Sequence, residues 1–327
     1  MTPASPAAPL LDVRDLSKSF KVRPRLGERP GMVHALDGIS LTVGQNETVG
    51  LVGESGCGKS TAGRAILRLI EPDQGTVTFE GEDVRAMSGS RLRALRKHMQ
   101  IIFQDPYASL NPRRTVYQTL AEALTVHRIC PRAEIPERVA ALLEDVGLPA
   151  EAAPKYPHEF SGGQRQRIGI ARALSVAPRL IVADEAVSAL DVSIQAQVLK
   201  LLGRLKEEHG LSYLFITHDL GVVRYFCQTA AVMYLGRIVE AGPVGALFDA
   251  PLHPYTEMLR NASPVPDPVI ARQTVRVTGE VPSPLNPPSG CHFHPRCPHA
   301  TAHCREVRPV LREVGGGRRV ACHLHAA

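Results

Sequence analysis

Tryptophan is absent from this chain of 327 residues, and aromatic residues make up only 5% of it. Single-stranded nucleic acids are held on exposed aromatic side chains, so this scarcity argues against a nucleic-acid binder. No apolar run approaches the roughly 18 residues that a membrane-spanning helix needs. The formal net charge of +6 is not gathered into a long basic block, so it indicates an ordinary solvated surface.

The first residues also lack the features of a signal peptide. Residues 1–10 are rich in Pro and Ala and contain no long apolar core, so we expect no secretory signal and a cytosolic protein. Seven Cys in that compartment are expected to stay reduced and to form no disulfides. Hydrophobic residues at 44% and charged residues at 21% are ordinary for a soluble globular chain.

Segments of strand length alternate with segments of helical spacing along most of the chain. Residues 180–183 and 213–217 are continuous apolar runs, typical of strands buried on both faces of a parallel sheet. This alternation predicts an α/β core, interrupted by a helical insert at 105–160. We predict further strands at 11–16 (an edge strand), 39–43, 47–52, 76–79 and 99–103, helices at 61–70, at 192–209 and, broken by Pro131 and Pro136, at 115–148, and a loop insertion at 21–33.

A phosphate loop is predicted between the strand at 47–52 and the helix at 61–70. Residues 53–60 fit the pattern G-x-x-x-x-G-K-[ST] without a mismatch. In this pattern backbone N–H groups point at phosphate oxygens, Lys59 reaches the β- and γ-phosphates, and Ser60 offers its hydroxyl to Mg²⁺. The expected ATP and Mg²⁺ contacts are Gly53, Glu54, Ser55, Gly56, Cys57, Gly58, Lys59, Ser60 and Thr61.

Two carboxylates follow the apolar strand at 180–183. Asp184 fits the metal-associated acid of a phosphate-loop ATPase, and Glu185 comes directly after it. Downstream of the phosphate loop, residues 160–164 read Phe-Ser-Gly-Gly-Gln and are followed by a basic helical run. The phosphate loop, this signature segment and the acid pair, which follow one another in that order along the chain, resemble the ATP-binding subunits of ABC transporters.

The resemblance covers about residues 10–262 and implies a role for several residues. Glu185 corresponds to the base that polarises the attacking water, His218 to the switch histidine, and Gln104 to the glutamine that senses Mg²⁺ and water. Asp191 belongs to the D-loop that crosses a dimer interface. Phe20 is the candidate for stacking on adenine, with a core phenylalanine as the alternative. The signature residues that act on a partner's ATP are Ser161, Gly162, Gly163 and Gln164.

The fold implied by the resemblance is a RecA-like P-loop ATPase core with an antiparallel β edge subdomain and a helical subdomain at about 105–165. A tail at 1–9 precedes the ATP-binding domain at 10–262. A small Cys-rich C-terminal appendage follows at 263–327, where Pro becomes frequent. Phe160 stands where Leu is commoner, and Ala186 where many relatives have Pro, but neither change removes a catalytic group.

Five further segments narrow the resemblance, at 102–112, 187–197, 251–256, 283–291 and 294–298. Through them the chain looks most like the second ATPase subunit of dipeptide, oligopeptide and nickel importers. That resemblance implies a second, homologous ATPase subunit, two permease subunits, an extracytoplasmic peptide-binding protein, no nucleic acid, and a peripheral place on the cytoplasmic face of the membrane. An importer of nickel or another small solute is the alternative. An exporter subunit or an ABC ATPase without a membrane partner fits less well.

The C-terminal cysteines are candidates for a metal or cluster site. Cys291, Cys297, Cys304 and Cys322 lack the close Cys pairs of common zinc modules. Four thiolates would suit a [4Fe–4S] cluster or zinc. At these positions some relatives with this tail resemble iron–sulfur carriers. The alternative is four reduced thiols that bind no metal. Cys57, at the start of a predicted helix, is expected to have a lowered pKa, so we predict that alkylation there blocks ATP binding.

Overall fold

The computed structural model describes residues 8–22, 31–262 and 280–325. The chain divides into two compact units. The first unit comprises the described parts of Met1–Val43, Thr48–Arg85 and Thr217–Ala327, and the second comprises Gly44–Glu47 and Ala86–Ile216. Within the described ranges, no helix is both long and apolar enough to cross a membrane.

The described residues form the strands and helices of a mixed α/β protein. The strands are β1 (Leu11–Val22), β2 (Gly31–Val43), β3 (Thr48–Val52), β4 (Gln74–Phe79), β5 (Glu82–Asp83), β6 (Met99–Ile102), β7 (Leu180–Asp184), β8 (Ser212–Thr217), β9 (Thr229–Tyr234), β10 (Arg237–Pro243), β11 (Arg312–Glu313) and β12 (Arg319–Val320). The helices are α1 (Lys59–Ile66), α2 (Gly89–Leu95), α3 (Val116–Val126), α4 (Ile135–Asp145), α5 (Gly162–Leu174), α6 (Val192–His209), α7 (Leu220–Phe226), α8 (Val244–Asp249), α9 (Pro254–Ala262) and α10 (Ala302–Glu306).

The first unit contains an antiparallel sheet of strand order β2-β1-β4-β5. The expectation of an edge strand at 11–16 was wrong, because Leu11 pairs with Val43 on one side and with Phe79 on the other. The loop predicted at 21–33 was wrong at both ends. Lys21 pairs with Met32, so β1 and β2 extend into it, and residues 23–30 lie outside the described part of the chain.

A second set of strands in the first unit supports the phosphate loop and the tail. Fully buried β3 runs parallel to β9, and β9 pairs antiparallel with β10. The tail joins here, because β12 pairs with β10 through Glu240 opposite Val320, and β11 pairs with β12. The C-terminal appendage is therefore anchored to the core by backbone hydrogen bonds.

The second unit is built on the parallel strands β6, β7 and β8, with β7 between the other two. Every residue of β7 and β8 is buried, as their continuous apolar runs predicted. Helix α6 spans 192–209 as predicted. Pro136 does not break a helix, because it lies in the first turn of α4, where its missing N–H would have no partner in any case.

His253 is a buried titratable group in the first unit. It is 1% exposed, its Nδ1 accepts a hydrogen bond from the Tyr255 N–H at 3.0 Å, and its Nε2 has no hydrogen-bond partner among the described residues. Burial, and then the nearby His325, lower its pKa to about 3. The folded protein therefore holds this imidazole in its neutral form.

We expect the free energy of unfolding to fall as the pH drops below about 6.5. The unfolded chain then binds a proton on this imidazole, whereas the folded chain binds none until about pH 3. Between pH 7.5 and pH 5.0 the loss through His253 is about 2 kcal/mol. H253N keeps an acceptor for the Tyr255 N–H and removes the titration, so urea unfolding of this variant should lose about 2 kcal/mol less between the two pH values.

H299N is the matched control, because His299 is exposed and lies in the same unit as His253. It should keep the pH dependence of the original protein. An H253N variant whose free energy of unfolding still falls as steeply as that of the original protein would contradict this assignment.

Candidate functional site

The phosphate loop lies between β3 and α1 in the first unit. Lys59 is 4% exposed, and its Nζ donates hydrogen bonds to the carbonyl oxygens of Gly53 at 2.8 Å and Glu54 at 2.9 Å. The ammonium group therefore folds back over its own loop and spans the concave side of the turn. A phosphate entering there would meet a positive charge that the loop already holds in place.

The backbone of the loop leaves an anion-binding end on α1. Gly58 is the N-cap, with φ at 107°, and a Cβ at this position would lie 2.1 Å from the Ala35 carbonyl oxygen, so only glycine fits. The cap has no side chain to bond the first N–H groups, and the first turn of α1 contains no acidic residue. These N–H groups and the positive end of the helix fit a phosphate ligand.

Cys57 differs from the expectation of a reactive thiol. It is 4% exposed, and burial raises its pKa despite the neighbouring Lys59. The helix start lowers the pKa of a thiol, but burial removes water from the sulfur and raises the pKa by more. The expectation of a lowered pKa was therefore wrong, whereas the effect of alkylation on ATP binding stays a prediction.

The second residue of the loop is held by the C-terminal part of the first unit. Arg296 donates two hydrogen bonds to the Glu54 carboxylate, at 2.8 Å to Oε2 and 3.0 Å to Oε1. The Glu54 N–H donates to the Tyr255 hydroxyl at 2.9 Å. The bond to Glu54 raises the pKa of Arg296 above its ordinary value. Sequence reasoning missed these contacts, since 242 residues separate Arg296 from Glu54.

The two carboxylates predicted from the sequence lie at the end of β7 in the second unit. Asp184 ends the strand and is 1% exposed. Glu185 is half-buried and takes a left-handed backbone conformation, with φ at 48°. Its Oε2 accepts a hydrogen bond of 2.7 Å from Gln104 Nε2, and its N–H donates to the Ile216 carbonyl oxygen at 2.9 Å. The structure thus brings the predicted glutamine and the predicted base into direct contact.

The backbone turn at Glu185 determines where its carboxylate lies. A non-glycine residue with positive φ is uncommon and persists only where its surroundings hold it. Here the N–H is fixed by β8, and the Ser188 hydroxyl donates to the Glu185 carbonyl oxygen at 2.9 Å. A carboxylate held at a strand end in this way can accept a proton from a water molecule placed beside it.

The signature segment begins α5 in the second unit. Ser161 is the N-cap, and its hydroxyl accepts from the Gln164 N–H at 3.3 Å while Gln164 Oε1 accepts from the Ser161 N–H at 3.0 Å. This capping box satisfies two helix-end N–H groups. A Cβ on Gly163 would lie 2.6 Å from Ile194 Cγ2, so α5 and α6 pack too closely here for a side chain. Ser161 is exposed, and Gly162 and Gly163 are half-buried.

Three further predicted residues lie at element ends or on strands. His218 is exposed directly after β8, and Asp219 fixes the next turn by accepting from the Gly221 N–H at 2.7 Å. Asp191 is the exposed N-cap of α6. Phe20 is 38% exposed on β1 with Lys18 Nζ 5.5 Å from its ring centre, so the alternative of a core phenylalanine does not hold.

The four tail cysteines interact electrostatically but do not form a ready metal site. Burial raises the pKa of Cys291 to about 11, and the other three thiols contribute to that rise. Burial also raises the pKa of Cys297 and Cys322. Across residues 8–22, 31–262 and 280–325, no group of three or more His, Cys, Asp or Glu side chains is placed to hold a metal ion. In this geometry the four residues do not fit a bound metal.

The parallel core, the phosphate loop and the acid pair define a phosphate-loop ATPase of the ABC type. Residues 36–188 match the ABC transporter family, and residues 239–304 match the C-terminal region of oligopeptide/dipeptide transporters. The chain belongs to this family of ABC transporter ATPases, which confirms the resemblance drawn from the sequence.

Curated relatives match the chain over nearly its full length. It is 50% identical over 321 residues to the oligopeptide transport ATP-binding protein AppF of Bacillus subtilis, covering 97% of this chain and 98% of the relative. It is 52% identical over 318 residues to a probable peptide ABC transporter ATP-binding protein of Sinorhizobium fredii, covering 97% of this chain and 90% of the relative.

Solved structures confirm the α/β fold of an ABC ATPase. CbiO1 from Clostridium perfringens, described as part of the ABC transporter complex cbiONQ, aligns with a TM-score of 0.63 at 28% identity, covering 74% of this chain and 91% of that one. The cassette MJ0796, described in a dimeric post-hydrolysis state bound to ADP and Pi, aligns with a TM-score of 0.63 at 27% identity, covering 72% of this chain and 98% of that one.

Proposed function

We propose that this chain is the ATP-hydrolysing subunit of an importer that takes up di- or oligopeptides across the cytoplasmic membrane. The observation that carries the proposal is the similarity over 97% of the chain, tail included, to a protein named for oligopeptide transport. The match of residues 239–304 to the C-terminal region of oligopeptide/dipeptide transporters supports the same substrate class. An importer of nickel or another small solute is the alternative within this family.

The residue roles in this proposal follow the motifs noted in the sequence. Lys59 and the N–H groups at the start of α1 bind the phosphates of ATP, and Ser60 and Asp184 are the residues that would hold Mg²⁺. A bound Mg²⁺ would neutralise negative charge on the phosphates. Glu185 accepts a proton from the attacking water, and Gln104 keeps its carboxylate oriented through the 2.7 Å bond.

The remaining predicted residues complete this assignment. His218 orients the γ-phosphate, and Phe20 stacks on the adenine with the face that β1 leaves exposed. The signature residues and Asp191 act across a dimer interface on ATP bound to a partner. The predicted boundaries at 10–262 and 263–327 separate this machinery from the tail. The residues of the signature are Ser161, Gly162, Gly163 and Gln164.

The partners in this proposal are a second, homologous ATPase subunit, two permease subunits and an extracytoplasmic peptide-binding protein. The ATPase pair lies on the cytoplasmic face of the membrane as a peripheral complex. Each subunit then supplies a phosphate loop for one ATP and a signature for the other. ATP binding joins the two subunits, and hydrolysis releases them.

The proposal is tested by isolating the complex from its host with an affinity tag on this subunit and a mild detergent. The complex is reconstituted in vesicles with the binding protein encoded in its gene neighbourhood. Phosphate release should rise when that protein carries di- or oligopeptides, and labelled peptide should enter the vesicles. Stimulation by nickel alone would favour the alternative importer, and the absence of any permease would contradict a transport function.

The tail cysteines carry a separate proposal, that Cys291, Cys297, Cys304 and Cys322 take up a [4Fe–4S] cluster or, alternatively, zinc. Its support is the resemblance of the tail to that of relatives noted from the sequence, since the four side chains as the structure places them do not fit a metal. Protein purified without oxygen should contain iron or zinc, and C291S with C304S should lose it. C130S, outside the tail, is the matched control, and a preparation free of both metals would refute the proposal.

A further inference from the structure

The tail contacts the phosphate loop through the ion pair of Arg296 with Glu54, which is called the clamp below. This pair is more buried than an ordinary surface ion pair. The side chain of Arg296 is 4% exposed and that of Glu54 is 25% exposed. The guanidinium binds both carboxylate oxygens, which fixes the angle of the side chains as well as their distance. Breaking such a pair from one side leaves a buried charge, so both partners resist separation.

The surroundings of Arg296 hold it in this orientation. Its guanidinium lies 5.8 Å from the ring centres of both Tyr234 and Phe293. Tyr234, Tyr255 and Phe293 pack against one another, with ring centres 4.6 to 5.4 Å apart. All three rings are almost completely buried. The arginine therefore projects from a rigid aromatic cluster that joins β9, α9 and the tail.

Glu54 connects this cluster to the lysine of the phosphate loop. Its side chain binds Arg296, its N–H binds the Tyr255 hydroxyl, and its carbonyl oxygen accepts from Lys59 Nζ at 2.9 Å. Three different groups of one residue are thus fixed at once. A shift of the tail would move Glu54, and with it the carbonyl oxygen that positions Lys59.

We propose that Arg296 is a positioning residue for ATP binding, through which the C-terminal tail holds the phosphate loop in the conformation that accepts ATP. This inference rests on the proposed function to the extent that ATP binds at this loop. A loop held in its binding conformation loses less conformational freedom when the ligand arrives, so the clamp raises ATP affinity. Bound ATP can order the loop by itself, so turnover at saturating ATP should depend little on the clamp.

The test measures ATP binding by the purified subunit and steady-state hydrolysis by the complex. R296Q should raise the dissociation constant and the KM for ATP about tenfold, with kcat changed less than about twofold. R296K keeps the charge but loses the bidentate contact with Glu54, so it should raise the KM for ATP by less than R296Q does. E54Q tests the same contact from the loop while leaving the tail unchanged, and it should raise KM in the same direction.

The double variant separates positioning from general destabilisation. If the two side chains act through each other, E54Q with R296Q should raise KM no more than the larger single change. R308Q is the matched control, because Arg308 joins the same tail to Asp37 at 3.3 Å and, among the described residues, forms no hydrogen bond or ion pair with the phosphate loop. R308Q should leave the KM for ATP unchanged, and its thermal unfolding shows what loss of a tail ion pair does to stability alone.

Three results would overturn the inference. These are an R296Q variant with the original KM, a double variant whose KM rise is the product of the two single rises, and an R308Q variant that raises KM as much as R296Q. Failure of the original subunit to bind ATP would instead contradict the proposed function. If R296Q does not fold, R296K and E54Q decide the question by the same KM comparison.

Discussion

E185Q is expected to lower the rate of ATP hydrolysis by about 10²- to 10⁴-fold while leaving ATP binding intact. The carboxylate is held half-buried at the end of β7 by its contact with Gln104 and by its backbone bond to β8. An amide of the same shape keeps those contacts but accepts no proton from water. Phosphate release measures the loss, and a fluorescent ATP analogue measures binding.

The same variant should accumulate an ATP-bound complex with its partner subunit, since binding joins the subunits and hydrolysis no longer separates them. Size-exclusion chromatography with ATP and Mg²⁺ would detect that species. E207Q is the matched control, because Glu207 is exposed on α6, and it should hydrolyse ATP at the original rate. Turnover near the original rate in E185Q would remove Glu185 from the role of base.

The parts of the site that sequence reasoning located are those encoded by contiguous residues. The phosphate loop was recognisable because its glycines, its lysine and its serine are fixed by one turn between β3 and α1. The acid pair was recognisable because β7 is a continuous apolar run that ends at Asp184. Helix α6 was predicted to the residue, since Asp191 precedes its periodic segment and Gly210 follows it in a left-handed conformation.

The parts that could not be predicted depend on contacts between distant segments. Nothing local to Arg296 indicates that it binds Glu54, although the tail segment around it was noted as a family feature. The pKa of Cys57 was misjudged because burial of the sulfur depends on how the loop packs. The inner position of β1 depends on pairing with both β2 and β4, whereas its alternating pattern is shared by edge and inner strands.

K59M is expected to weaken ATP binding about 10- to 100-fold, because it removes the positive charge that Lys59 holds at the phosphate loop. Methionine keeps much of the buried volume of a side chain that is 4% exposed. The loss of Lys59 also leaves the carbonyl oxygens of Gly53 and Glu54 without the ammonium group that donates to them. At saturating ATP, turnover should fall about 10²- to 10³-fold, because the developing charge on the phosphates loses a preorganised partner.

The cause of that loss can be separated from a collapse of the loop. K21M removes a lysine that is exposed on β1 and should leave both binding and hydrolysis unchanged. If K59M binds ATP as tightly as the original protein, Lys59 does not contact the phosphates. R296Q and K59M should differ in kind, because loss of the clamp is compensated once ATP orders the loop, whereas loss of the ammonium group persists in the bound state. A K59M variant that recovers the original kcat at high ATP would therefore contradict the assigned role of Lys59, since its charge would then serve only to shape the empty loop.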